Sequence, residues 1–291
     1  MSNIVDLCNS SEFDPVFICD FSPPKSADLS KLTPSKYLGA DVISLAYSPG
    51  RSPTPDTLAL SIWIEQNTKS KSLMNIATRD MNKLAIQNKL LGADLWGVNN
   101  ILTIRGDKFT KEETSIVKTV NDYTPTRMLK DINNMNQGLN FKGQKLSIPT
   151  NLCAGASIDL NKDQSAEISL TQKKVFSGSK FFVTQPIFDP QKALDFQDSY
   201  AEKYSLQQIP NVFWGIQILG QDNFSFSYIP DNLKNDLNKG RSGIDIAIEQ
   251  INLLLLQKMR LIYLIPQIFA NGTRNYESAQ EVIEFFKLQS Y

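Results

Sequence analysis

Carboxylates, lysines, amides and tyrosines must carry any acid–base chemistry in this 291-residue chain, because it contains no histidine. That absence removes Ser-His-Asp and Cys-His relays, His-ligated metals and imidazole catalysis near neutral pH. Proton transfer then falls to Asp, Glu, Lys, Tyr or water. A bound organic cofactor is favoured as the source of harder chemistry.

Four local patterns place such groups where a reaction could use them. In Cys19-Asp20-Phe21-Ser22-Pro23-Pro24 an apolar run ends in a carboxylate, followed by two prolines that cannot extend a sheet ladder. Desolvation among those neighbours would make Asp20 a candidate proton donor; capping of the following segment is the other role open to it. Arg105-Gly106-Asp107 closes an apolar run, so that a cation, a close-approach glycine and an anion share one tip. The alternative is an exposed Arg-Asp pair worth under about 1 kcal/mol. Lys173 and Lys174 lie in a helical stretch that leads into Gly178 and a further apolar run, and one of the two is expected to face a ligand. Gln185 ends that run, Phe181-Phe182-Val183-Thr184-Gln185-Pro186. Its amide donates and accepts at once, which suits a heterocycle presenting adjacent N–H and C=O groups, or else satisfies a neighbouring loop.

These groups need a scaffold, and the hydrophobic pattern supplies one. Runs rich in β-branched and aromatic residues fall at 16–21, 42–47, 73–78, 99–105, part of 147–157, 180–185, 212–219 and 261–265, separated by stretches of helical period. Eight βα units predict an α/β fold, a single (β/α)8 TIM barrel, for which 291 residues is an ordinary length. In such a barrel the residues closing the strands carry the chemistry. Here they are Asp20, Tyr47, Asn75, Thr78, Arg105 to Asp107, Ser157, Asp159, Gln185 and Gln217. In the helical stretch 81–91, Leu84 and Leu91 are expected to pack on the barrel, with Gly92 stopping the helix. Residues 107–143 and 220–243 exceed ordinary connections and read either as lids or substrate walls or as solvated loops.

Composition narrows the partners. Thirty basic residues balance thirty acidic ones, giving no field to draw in nucleic acid or an anionic membrane. The longest apolar stretches fall short of the ~20 residues that span a bilayer, and no secretory signal is visible, so a cytoplasmic location is expected. Cys8, Cys19 and Cys153 have no metal-site or disulfide spacing and read as buried thiols.

The motifs in order resemble those of the methylenetetrahydrofolate reductase family over nearly the whole chain. Phe21-Ser22-Pro23-Pro24-Lys25 is similar to the family's Phe-Phe-Pro-Pro-Lys, and Thr78-Arg79-Asp80-Met81-Asn82 to its Cys-Arg-Asp-Arg-Asn turn. Leu90-Leu91-Gly92-Ala93, Asn99-Asn100-Ile101-Leu102, Arg105-Gly106-Asp107, Ala154-Gly155-Ala156, 182–189, 262–266 and 279–283 follow in register. The resemblance implies a catalytic barrel spanning 1–291, with no regulatory C-terminal domain. It also implies FAD at the mouth and reduction of 5,10-methylene-tetrahydrofolate, or a related tetrahydropterin of one-carbon metabolism, to the 5-methyl form with NAD(P)H. Tyr47, Asn75, Arg105, Gly106, Asp107, Ser157, Glu167 and Lys174 become expected FAD contacts. Gln185, Gln217 and Arg274 become expected substrate contacts, with Asp20 and Asp107 as catalytic carboxylates. Two positions depart from the family: Asp20 stands where it has Glu, one methylene longer, and Asn75 where it typically has His. They motivate a second reading, a non-catalytic or partner-dependent barrel subunit binding pterin or flavin. A homo-oligomer or a partner subunit fits either reading.

Overall fold

The computed structural model describes residues 3–10, 14–205, 209–221 and 224–289. Eight parallel strands pair in chain order: β1 (Val16–Phe21), β2 (Val42–Leu45), β3 (Lys71–Ala77), β4 (Asn100–Ile104), β5 (Cys153–Ile158), β6 (Phe181–Pro186), β7 (Val212–Gln217) and β8 (Leu261–Ile265). Strand β8 pairs back on β1, with Cys19 opposite Leu264, and the sheet closes into a (β/α)8 barrel. Each expected apolar run overlaps one of these strands.

Helices α1 (Ile4–Ser10), α2 (Thr57–Asn67), α3 (Lys83–Leu95), α4 (Pro125–Asn136), α5 (Gln164–Phe176), α6 (Gln191–Lys203), α7 (Asp231–Asn238), α8 (Gly243–Leu256) and α9 (Tyr276–Gln289) complete the units. Their starts are set by local chemistry. The side chains of Asp56, Asn82, Thr124, Asp163 and Ser242 each accept an N–H two or three residues ahead, satisfying a donor that the helix leaves free. The two long regions are therefore not plain loops: 107–143 contains α4 and 220–243 contains α7. No helix of the described residues is long and apolar enough to cross a membrane.

Alternation along the strands divides the core in two. One parity, including Phe17, Cys19, Ile43, Met74, Ile76, Phe182, Trp214 and Leu264, faces the helices. The other, including Val16, Ile18, Val42, Leu73, Leu102, Cys153, Phe181 and Phe213, fills the barrel. Helix α1 seals the floor by adding Ile4 and Cys8 to that interior cluster. The Ile4 N–H bonds Asn100 Oδ1 at 2.9 Å, while Asn100 Nδ2 bonds the Ser72 carbonyl at 3.2 Å. Gly155 leaves room for the Phe181 ring, since a Cβ there would stand 2.4 Å from it. All three cysteines are buried free thiols.

Helix α3 departs from expectation. Its buried face is Ile86, Gln87, Leu90 and Ala93, whereas Leu84 and Leu91 are 56% and 38% exposed. The two leucines share a face, but it lies about a third of a turn from the one the barrel covers. Gly92 does not stop the helix. It lets α3 approach α2, where a Cβ would meet Leu58 Cδ2 at 3.3 Å. The stop comes at Gly97, in the left-handed region at φ +76°, with Val98 N–H bonding the Ala93 carbonyl and Gly97 N–H the Asp94 carbonyl.

Candidate functional site

The interior parity turns polar at the C-terminal ends of the strands. Continuing upward by twos from the apolar interior, it reaches Asp20 on β1, Ser44 on β2, Asn75 on β3, Ser157 on β5, Gln185 on β6 and Gln217 on β7, with Tyr263 on β8. Reading the residue that closes each strand thus found most of this layer. Ser44 and Tyr263 were missed because the run read to Tyr47 hid the first and an apolar end at Ile265 hid the second. Parity counted from Val42 and Leu261 would have found them.

Half of the layer is internally bonded. Asp20 Oδ1 accepts the Tyr263 hydroxyl at 3.0 Å, and Asp20 Oδ2 faces Arg274 Nε at 3.4 Å. Both partners of that ion pair are buried. Asp20 is therefore not the carboxyl walled by apolar neighbours that its sequence context suggested, because a guanidinium from 254 residues away matches its charge. Arg274 reaches it from a short hairpin of β9 (Gln267–Ile268) and β10 (Arg274–Asn275), turned at Gly272. Ser44 Oγ donates to Asn75 Oδ1 at 3.4 Å. Gln217 is almost fully buried, and both its amide atoms hold the loop after β7. Its Nε2 donates to the Phe224 carbonyl at 2.8 Å, and its Oε1 accepts from Ser225 Oγ at 2.9 Å. That loop carries the edge-to-face pair Phe224 and Phe226, and Arg274 lies over the Phe226 ring at 5.7 Å. The Gln217 amide thus supports an aromatic wall.

The other half is open. Asn75 Nδ2, Ser157 Oγ and the Gln185 amide have no hydrogen-bond partner among the described residues, although Asn75 is buried and the other two are half-buried. Buried polar groups left unpaired are costly, so such a layer calls for a ligand or water carrying complementary donors and acceptors.

Above β3 and β4, charges set the tip. Arg79 is buried, grips Asp80 through Nε and Nη2 at 2.6 and 2.8 Å, and donates from Nη1 to the Asp107 carbonyl at 2.7 Å. Its guanidinium also stacks on Phe109 at 4.1 Å. Tyr47 lies against Asp80, and burial together with that carboxylate pushes its hydroxyl above the ordinary tyrosine value. Gly106 adopts φ +82° and packs so closely that a Cβ would meet Ala77 Cβ at 3.1 Å. Arg105 and Asp107 project beside it, both exposed, with no side-chain hydrogen bond or ion pair among the described residues. Arg79 and Asp80 were not singled out as site residues, although two adjacent charges directly after a strand end were a usable signal.

Glu167 and Lys174 form a buried pair at the end of β5. Lys174 Nζ donates to the Ser157 carbonyl at 2.5 Å and pairs with Glu167 Oε1 at 3.4 Å, with only 8% and 3% of the two side chains exposed. Glu167 also accepts the Asp159 N–H at 3.3 Å. The pair fastens α5 to the end of β5, so its polar atoms are not presented to the mouth. Burial lowers the affinity of Lys174 for its proton, partly offset by Glu167. Lys173, its neighbour, is exposed.

A cleft of about 1480 Å³ opens over the β1 and β8 ends of the barrel. Its walls include Pro23, Pro24, Phe224, Phe226, Phe269 and Tyr276, and Arg274 and Asp107 supply charge of both signs. Aromatic walls with three cations, Lys25, Lys31 and Arg274, against two anions, Asp107 and Glu277, suit an aromatic ligand bearing a carboxylate. Among the described residues no group of three or more His, Cys, Asp or Glu side chains could hold a metal ion.

Comparison with known proteins agrees with this geometry. The family model described as methylenetetrahydrofolate reductase matches residues 8–265, from α1 to the end of β8, while Arg274 lies beyond the match. Among solved structures the chain is similar to an uncharacterized protein from Clostridium thermocellum that binds two copies of 5-methyl-5,6,7,8-tetrahydrofolic acid. The TM-score is 0.68 at 13% identity, over 98% of this chain and 100% of the other, a likeness of fold.

Proposed function

Because the chain belongs to the methylenetetrahydrofolate reductase family, we propose that its barrel mouth binds a reduced folate and that it reduces 5,10-methylene-tetrahydrofolate to the 5-methyl form. The observation that carries the reading is the open half of the polar layer. Asn75 Nδ2, Ser157 Oγ and Gln185 lack partners among the described residues, toward the same end of the barrel as a cleft with aromatic walls. A pterin presents adjacent N–H and C=O groups that the Gln185 amide can meet. Arg274, held on Asp20, would stand at the methylene-bridge end of that ligand, and Lys25 and Lys31 on the cleft wall are suited to its carboxylates.

The mouth-facing groups also fit a flavin ring. Asn75 and Ser157 offer unpaired polar atoms, and Gly106 brings the backbone of a tip close, with Arg105, Asp107 and Tyr47 around it. FAD, when bound, supplies hydride transfer between a reduced nicotinamide and the folate. Glu167 and Lys174 are left out of this set, since their buried ion pair already satisfies them. Within the chain, Gln185 would orient the pterin, Gln217 would hold the aromatic wall, and Asp20 would handle the proton at the methylene bridge.

The test is the spectrum of the purified protein, followed by NADH or NADPH oxidation with 5,10-methylene-tetrahydrofolate after FAD is supplied. Flavin absorbance bleached by the nicotinamide and restored by the folate is the expected result. Failure to bind FAD or to oxidise nicotinamide sinks the reductase reading. Binding of 5-methyl-tetrahydrofolate without turnover would select the non-catalytic barrel instead, the alternative favoured by the engagement of both Asp20 oxygens.

A further inference from the structure

Tyr263 stands between two hydrogen-bonded pairs that together span four strands of the mouth. Its hydroxyl donates to Asp20 Oδ1 at 3.0 Å and lies beside Ser44, whose Oγ donates to Asn75 Oδ1 at 3.4 Å. Arg274 Nε meets the other Asp20 oxygen, Oδ2, at 3.4 Å. The two positions that depart from the family thus each accept a neighbour's hydroxyl, Asp20 that of Tyr263 and Asn75 that of Ser44.

The two oxygens of Asp20 are not equivalent. Burial pushes the Tyr263 hydroxyl well above its ordinary value, and the Asp20 charge adds to this, so it stays a donor across the working pH range. It cannot release its proton without leaving a phenolate against a carboxylate. Arg274 lines the cleft and holds its carboxylate through a single longer contact. Tyr276 on α9 also lies within electrostatic reach of Asp20, but its hydroxyl is engaged with the backbone of Ser22.

We propose that Tyr263 is a positioning residue that pins Oδ1 of Asp20 and so turns Oδ2 toward the cleft, where the family's longer Glu would reach without such support. Arg274 is the exchangeable partner of that presented oxygen. The inference rests on the folate-reductase reading, since it assigns Asp20 its orientation within that reaction.

The experiment compares wild type, Y263F, D20E and D20E/Y263F. It measures the Kd for 5-methyl-tetrahydrofolate by intrinsic fluorescence, and kcat and KM for 5,10-methylene-tetrahydrofolate with FAD supplied. Y263F should lower kcat at least tenfold while Kd and KM stay within threefold, and the same change in the D20E background should cost less than threefold in kcat. A purely structural role would weaken binding and turnover together in both backgrounds. If Y263F binds folate and keeps kcat within threefold, or raises Kd and KM with kcat unchanged, the proposal is overturned. A wild type that neither binds nor turns over the folate overturns the reading itself and this inference with it. If Y263F does not fold, D20E/Y263F decides: a tenfold loss relative to D20E refutes the idea that the longer carboxylate needs no pin.

Discussion

Removing Lys174 should unfold the protein at a markedly lower temperature and leave cofactor binding alone. Lys174→Met keeps the length of the side chain but deletes the ammonium. Glu167 would then be a buried carboxylate with only the Asp159 N–H, 3.3 Å away, and the Ser157 carbonyl would lose its 2.5 Å donor. Breaking one side of a buried ion pair costs about 3–5 kcal/mol, far above an exposed pair, because the remaining charge stays desolvated. At roughly 2–3 °C for each kcal/mol in a domain of this size, the midpoint should fall by about 6–15 °C. Glu167→Gln in addition should recover part of that loss, since neither charge is then buried alone, and the non-additivity measures the pair. The assay is calorimetry of wild type, K174M, E167Q and K174M/E167Q at neutral pH, with FAD titrated into each folded sample. A K174M protein that melts within about 2 °C of wild type yet binds FAD at least tenfold more weakly would refute the reasoning and return Lys174 to the cofactor.

Two further outcomes are expected from the barrel interior and its floor. Gly155→Ala would place a methyl 2.4 Å from the Phe181 ring, so it should lose about 1–3 kcal/mol in urea unfolding; Phe181→Leu on the same chain should restore part of it, and an unchanged midpoint for G155A would show that the ring moves freely. Burial pushes the Cys8 thiol up to about 12 and the Cys153 thiol to about 11, from an ordinary 9.0. The unfolded chain therefore sheds these protons first, and the stability they lend, complete below pH 9, is lost as pH rises toward 11 to 12, at about 1.4 kcal/mol per pH unit per thiol. Lys174 works the other way, gaining stability with pH between its depressed folded value and 10.5. Urea midpoints at pH 8, 9 and 10 in wild type and C8A/C153A should diverge above pH 9, and parallel curves would contradict it.

Much of the site was readable before any coordinates because strand parity is a local property. Asp20, Asn75, Ser157, Gln185 and Gln217 each close an apolar run, and each lies on the inward parity of its strand. What each side chain does there was less accessible. Gln217 looked like a substrate contact, but its two amide atoms meet a loop seven to nine residues ahead, whose path depends on how α7 and α8 pack. Leu84 and Leu91 had the right spacing for a buried stripe. The helix presents another stripe because Ile86, Leu90 and Ala93 are also apolar, and periodicity alone cannot choose between two apolar faces.

The amino-acid sequence by itself determined that there are eight βα units and, for most strands, which polar residue stands near the C-terminal end, since these follow from periodicity, caps and the steric limits of glycine and proline. It also determined that no imidazole takes part. Only the tertiary structure decided which charges meet. Closure of β8 on β1 brings Tyr263 to Asp20, and the hairpin after β8 carries Arg274 to the same carboxylate across 254 positions. The docking of α5 on β5 turns Glu167 and Lys174 into a buried pair rather than groups at the mouth. Burial and pairing are properties of three-dimensional neighbours, and a barrel chooses those neighbours by its register and closure, which no local stretch of residues encodes.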